Sequence, residues 1–310
     1  MKAQFRDEEQ RRASLTESER ETILGIDPSF QKIARVIYFD NYDLPCPIRV
    51  EVTTTKNAPA VVVLRRARHG SVETEVEMFR ALKECGLPVP EVLAGPFRYE
   101  NGELGAIYSL LEGESLQALA MRSDVGLQQA KTLLVEAVFR LIEAGRFIAD
   151  HEVSQRLPRH TLRSELETVK AGDTGWTKEE FFQSAIKQLE HLLTGVTTPL
   201  VLSNGDYQPG NFLTKEGELT GFLDFECAAF HDPLMGFAKY PVYDLLPLSR
   251  TDVVDLFLET GKFSKREFSI RVALGCLKTL QKEIPVTETK AETRWYRDHV
   301  LGLLKSALSA

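Results

Sequence analysis

The chain has 310 residues, 43% of them hydrophobic and 27% charged, the composition of an ordinary globular protein with room for one large or two modest domains. Its formal charge of −7 argues against a general nucleic-acid surface, which needs clustered Lys and Arg. The first 15 residues are too charged for a signal peptide and no apolar run approaches a membrane span, so no membrane partner is expected. Cys46, Cys85, Cys227 and Cys276 share no close spacing that would mark a disulfide or zinc framework, which points to a reduced, cytoplasmic setting.

Residues 1–29 form a charged N-terminal extension with mixed-sign pairs such as Glu17 and Arg20, expected as a solvated helix or a partly disordered arm. Ala34–Phe39, Ile48–Thr54 and Ala60–Arg65 are rich in Val and Ile and read as antiparallel strands. Ser71–Glu84 places Val72, Val76, Phe79 and Leu82 near helical spacing and stops at Gly86. Leu87-Pro88-Val89-Pro90 is a rigid connector to two further strands, Val92–Tyr99 and Leu104–Leu110. Residues 30–112 thus form a small sheet-bearing lobe, and Glu112-Gly113-Glu114 crosses to a second, mainly helical lobe over 113–310. There Leu127–Ala149 is strongly periodic, and Lys178–Leu193, Arg250–Gly261, Lys265–Gln281 and Ala291–Leu308 also suit helices. The fold class is α+β with two lobes.

The chemistry is concentrated between Val201 and Glu226. An apolar run leads into Asn204-Gly205-Asp206, Asn211 follows five residues after the aspartate, and a short hairpin through Lys215–Glu218 leads to Gly221-Phe222-Leu223-Asp224-Phe225-Glu226. Phosphoryl transfer needs a carboxylate to receive the acceptor hydroxyl's proton, and an amide oxygen and a second carboxylate to hold Mg²⁺ on nucleotide phosphates. All three groups occur here in chain order, at the ends of apolar runs from which a loop could present them.

This block resembles the aminoglycoside phosphotransferase-like family of small-molecule kinases, which includes choline, homoserine and fructosamine kinases and is related in fold to protein kinases. Its pattern reads roughly His-Gly-Asp-x-x-x-x-Asn followed by Ile-Asp-Trp/Phe-Glu/Asp, and His231-Asp232-Pro233 matches its Gly-Asp-Pro element. The resemblance is strong over residues 198–235, weaker over 60–116 and thin elsewhere. It implies a protein-kinase-like two-lobed fold, with ATP and Mg²⁺ as cofactors and a small-molecule acceptor. It makes Asp206 the catalytic base and Asn211 and Asp224 the Mg²⁺ ligands, with Glu226 as a second acid. Arg65, at the end of a strand, takes the place where kinases generally carry a phosphate-contacting Lys. Glu75 is its helix partner, chosen over Glu73 and Glu77 because it stands seven before Leu82 as in the family's helix. Arg66, beside Arg65, is the alternative cation. Ser109 and Leu111 would turn their backbones toward adenine, and Tyr207, Gln208 and the helical region after Pro233, with Tyr243 and Asp244, would meet the acceptor.

Three departures matter. The connector Asp40–Pro47 contains no glycine, whereas a phosphate loop uses glycine to bring backbone N–H groups close. The family's His before Gly-Asp is Asn204, and its Asp three beyond the Gly-Asp-Pro proline is Gly236; in relatives these positions brace the loop, so here either the two changes are paired compensations with another hydrogen-bond set or the loop is a degraded one. No Ser, Thr or Tyr lies between Asp224 and Lys239, so a phosphorylated activation loop is excluded. The alternative reading is a nucleotide-binding pseudokinase or regulatory module. The acceptor and the oligomeric state stay open.

Overall fold

In the computed structural model, residues 11–39, 47–56, 58–67, 71–172, 179–243, 246–282 and 294–309 are described. The glycine-free connector, save for Pro47, and Asp244 lie outside them. The chain divides into two compact units, one of Met1–Gly113, Asp150–Arg156 and Leu213–Ala228, the other of Glu114–Ala149, Leu157–Phe212 and Ala229–Ala310. The Asp224 hairpin therefore packs with the first unit, although a boundary drawn at residue 112 leaves it in the second.

The first unit is built on a five-stranded antiparallel sheet of order β1-β2-β3-β5-β4, from β1 (Phe30–Tyr38), β2 (Ile48–Thr54), β3 (Pro59–Arg66), β4 (Val92–Arg98) and β5 (Leu104–Ser109). Alternation along β2 and β3 turns Ile48, Val50, Val52, Val62 and Leu64 to one face, where they form the core with Ile107. Helix α2 (Val72–Glu84) starts at the Ser71 cap, whose hydroxyl accepts from the Thr74 amide at 3.0 Å, and it buries Val72, Val76, Phe79 and Leu82 as its spacing predicts.

Of the opening segment residues 1–10 lie outside the described residues, and from residue 11 it departs from the solvated reading. Helix α1 (Glu17–Gly25) begins with a capping box between Thr16 and Glu19. It is not a solvated arm, because Ile23 and Glu19 are both buried. Burying Glu19 is tolerable because Arg66 donates to both its oxygens at 2.8 Å and the Tyr99 hydroxyl donates at 2.6 Å.

The second unit is mainly helical: α3 (Leu116–Arg122), α4 (Asp124–Asp150), α5 (Leu162–Ala171), α6 (Glu180–Leu192), α7 (Met235–Tyr243), α8 (Val253–Gly261), α9 (Lys265–Lys282) and α10 (Arg294–Ser309). Apolar faces of α5, α6, α7, α9 and α10 share one core. After the two-residue β6 (Glu114–Ser115) comes a small sheet in which β11 (Ala229–His231) pairs with β7 (Arg159–His160) in parallel and with β8 (Val201–Ser203) in antiparallel. Helix α4 approaches β8 closely at Gly145, where a Cβ would stand 2.7 Å from the Leu202 Cβ. That contact seats the strand from which the Asp206 loop departs. No helix of the described residues is long and apolar enough to cross a membrane.

Candidate active site

In the first unit, Arg65 lies near the end of β3, opposite Ala106 of β5. Its guanidinium gathers three carboxylates: Nε stands 3.2 Å from Glu75 Oε2, and Nη2 stands 2.8 Å from Asp224 Oδ1 and 3.0 Å from Glu226 Oε2. Strand, helix and hairpin thus converge on one cation. The hairpin of β9 (Phe212–Lys215) and β10 (Glu218–Phe222) delivers the last two acids, held by the Phe222 amide donating to Pro88 O at 2.9 Å. Phe225, wholly buried between the acids in sequence, packs edge-on against Phe79 with centroids 5.7 Å apart. The Ser71 amide donates to Glu226 O at 3.0 Å, tying the start of α2 to the same turn. Asp224 itself adopts φ 64°, a left-handed conformation that costs a non-glycine residue energy and is held by these neighbours.

The rivals named in the sequence go elsewhere. Glu73 accepts from the Ser71 hydroxyl, Glu77 pairs with Arg156, and Arg66 pairs with Glu19. Glu75 is 1% exposed and also accepts from the Tyr108 hydroxyl at 2.9 Å. Burial pushes its carboxyl up to about 7, against the pull of Arg65, with Asp224 and Glu226 adding to the rise. Burial also works against the Arg65 charge, but the three acids outweigh it and hold the guanidinium pKa above its usual value. Ser109 commits both its amide and its hydroxyl to Glu91, each at 2.9 Å, and Leu111 rests against Gly221 on the hairpin.

One guanidinium against three acids leaves this cluster with excess negative charge when all are ionised. Among the described residues no group of three His, Cys, Asp or Glu side chains is placed to hold a metal unaided. Mg²⁺ is commonly bound by one or two carboxylates, with phosphate and water oxygens completing its shell. The pair Asp224 and Glu226 supplies that number of carboxylates, both drawn to Arg65 in this structure.

In the second unit the loop after β8 folds on its own polar groups. The Ser203 hydroxyl accepts from the Gly205 amide at 3.0 Å, and Asn204 Oδ1 accepts from the Asp206 amide at 3.2 Å. Asn211 Nδ2 donates to Asp206 O at 3.1 Å, closing the loop across the five residues that separate them. On the Asp206 carboxylate, Oδ2 accepts from Gln208 Nε2 at 2.6 Å and Oδ1 faces Lys239 Nζ at 3.5 Å. Lys239 also donates to Gly205 O at 3.0 Å, and its neighbour on α7, Tyr240, donates from its hydroxyl to Tyr207 O at 2.8 Å.

One expectation fails here. Tyr207 is no acceptor contact but a buried ring packed beside Phe237, its hydroxyl pushed up to about 12 by burial. At Gly236 the Tyr207 ring fills the space, and the loop carbonyls of Gly205 and Tyr207 accept from Lys239 and Tyr240. Lys239 escaped the sequence reading, since nothing local sets it apart. Below the loop, Asp232 accepts from Arg271 Nη2 at 2.7 Å and Nε at 3.2 Å, and from the Leu234 amide at 3.0 Å. Tyr243 accepts from the Thr279 hydroxyl at 3.2 Å.

A sheet-bearing unit with a caged basic residue and a helical unit with an Asp-x-x-x-x-Asn loop define a kinase-like phosphotransferase. The family model described as the phosphotransferase enzyme family matches residues 49–246. No curated protein matched the chain. Among solved structures, a thermostable mutant of aminoglycoside phosphotransferase APH(4)-Ia, in ternary complex with AMP-PNP and hygromycin B, is similar at TM-score 0.63 and 13% identity, over 94% of this chain and 100% of that one. A mutant of aminoglycoside 2'-phosphotransferase-IIIa in its GDP complex is similar at TM-score 0.61 and 17% identity, over 93% and 96%. LicA in complex with AMP is similar at TM-score 0.57 and 13% identity, over 93% and 97%. At these identities the structures establish a shared kinase-like fold. The chain belongs to the phosphotransferase enzyme family. It is a small-molecule kinase.

Proposed function

We propose that the chain moves the γ-phosphate of ATP to a hydroxyl of a small molecule. Asp206 orients that hydroxyl and takes its proton, while Arg65, held by Glu75, grips the nucleotide phosphates. Mg²⁺, ligated by Asn211 and Asp224 with Glu226 as the nearby acid, would neutralise charge on the transferring phosphate. Nucleotide binding falls to the first unit, where Ser109 and Leu111 would flank adenine, and acceptor binding to the second. A reduced, cytoplasmic setting, expected from the scattered spacing of the cysteines, belongs to the same reading.

The convergence of Glu75, Asp224 and Glu226 on Arg65 carries this reading. A strand-end arginine serving only solubility has no need of three acids from two separate elements. The altered positions 204 and 236 do not favour the regulatory-module alternative, because the loop they flank is braced from α7 instead. The test is transfer of labelled γ-phosphate from ATP to a panel of aminoglycosides, amino alcohols and sugars, with Asp206→Asn as control. Transfer that survives in Asp206→Asn would reject the base assignment, and no transfer to any acceptor would favour the regulatory module.

A further inference from the structure

Resting on the phosphotransfer reading above, we propose that Lys239 is a positioning residue for Asp206, holding both the loop and the carboxylate plane for attack by the acceptor hydroxyl. Each oxygen of that carboxylate has its own partner. Gln208 binds Oδ2 from two residues along the same loop, so it moves whenever the loop moves. Lys239 reaches Oδ1 from α7, a separate element anchored in the helical core through Met235, Ala238 and Val242. The same ammonium donates to Gly205 O, one residue before the base. One side chain therefore fixes the loop backbone and the reacting group together.

The neighbouring positions explain why such a tie is needed. Gly236 offers no side chain to the loop, and the Tyr207 ring occupies its place. Asn204 spends its Oδ1 on the Asp206 amide, a bond within the loop itself. Support from α7 reaches the loop through Lys239 to Gly205 and through Tyr240 to Tyr207. Of these two, Lys239 alone carries a charge and faces the carboxylate. A lysine stem is flexible, but with its ammonium shared between a carbonyl and a carboxylate it acts as a strut rather than a loose surface cation. The Lys239 side chain is 36% exposed, so it can be exchanged without opening a cavity in the core.

The experiment compares Lys239→Met, Lys239→Arg, Asp206→Asn and the double variant Asp206→Asn/Lys239→Met in the full chain. Turnover is read as ADP release from Mg·ATP, with water alone, hygromycin B or choline as acceptor, using whichever is fastest. Lys239→Met should lower kcat by about 10- to 100-fold, the cost of a misplaced catalytic group, and leave the KM for ATP within about twofold. Lys239→Arg should recover part of the loss, since a long cation can still reach the carbonyl and the carboxylate. The double variant should be no slower than Asp206→Asn, because a residue acting through the base has nothing left to position. Amides of residues 203–211 should exchange hydrogen faster in Lys239→Met, with the melting temperature of the chain unchanged. Wild-type turnover in Lys239→Met, no recovery in Lys239→Arg, or a further loss in the double variant each overturns the inference while leaving Asp206 as the base. Full activity in Asp206→Asn, or no ADP release by the wild-type chain, instead overturns the underlying kinase reading.

Discussion

The Tyr207 ring stands where any side chain at position 236 would go: a Cβ built on Gly236 would lie 2.0 Å from Tyr207 Cδ2 and 2.3 Å from Cε2. Gly236→Ala must therefore displace a fully buried ring and the loop attached to it. The cost should be about 1–3 kcal/mol, with a fall in turnover because Asp206 is the next residue back. Tyr207→Leu should relieve part of that cost, a coupling that thermal melts of the two singles and the double will detect.

Asp232 and Arg271 are each 1% exposed and meet through two nitrogen–oxygen contacts. Removing one partner leaves the other charged and buried. Asp232→Ala or Arg271→Ala should destabilise the chain by about 3–5 kcal/mol, whereas Asp232→Leu/Arg271→Met should cost less than either single. Urea denaturation of the three variants is the check.

Arg65→Ala removes the cation from among three acids, one of them fully buried. It should raise the KM for ATP about tenfold or more, the worth of a charge-assisted phosphate contact, and lower the melting temperature as well. Arg65→Lys should restore part of both, lacking the planar fork that serves Glu75 and Asp224 together. An unaltered KM in Arg65→Ala would remove the phosphate role.

Asp224→Ala should weaken Mg²⁺-dependent nucleotide binding more than Asn211→Ala, since one supplies a full charge and the other a neutral oxygen. Calorimetric titration of ATP with and without Mg²⁺ separates the two. Equal Mg²⁺ dependence in wild type and both variants would remove them as ligands.

His160 and His231 lie with ring centroids 5.6 Å apart, around Glu165, which also binds Lys278. Burial holds both below the usual value of 6.5, aided at His160 by His231 and Lys278; at His231, Lys239 adds to burial while Asp232 opposes it. A lowered pKa in the folded chain means that the unfolded chain binds protons more readily. Their contribution to stability is thus present above pH 6.5 and lost as pH falls through the folded values. Denaturation midpoints should drop below that pH, and His231→Asn should flatten the decline.

The strands and the Val201–Glu226 block were legible because both are local. Alternating Val and Ile mark β2 and β3, and the acids sit at fixed intervals around a hairpin. β1 starts at Phe30, four residues before its apolar run, since its first residues, Gln31 and Lys32 among them, face outward. Helix α7 was legible only as a helical region after Pro233, without bounds, because it is apolar on most sides and contains Pro241, so neither periodicity nor a clean stop delimits it. Glu19, Lys239 and Arg271 escaped for a shared reason. Each is a charged residue whose place is set by a partner 33 or more residues away, as with Lys239 and Asp206, and charge alone reads as surface.

Arg65 and Arg66 are consecutive, and along a strand consecutive side chains point to opposite faces. One guanidinium serves the acid cluster; its neighbour is clasped by Glu19 of α1. Trimming the chain to begin at residue 30, the natural cut if the opening segment were a tail, would strip Glu19 from Arg66 and Ile23 from the sheet core. A shortened protein of that kind would expose apolar surface and leave an unpaired cation beside Arg65. Poor yield or weak nucleotide binding from it would then report on the missing helix rather than on the enzyme.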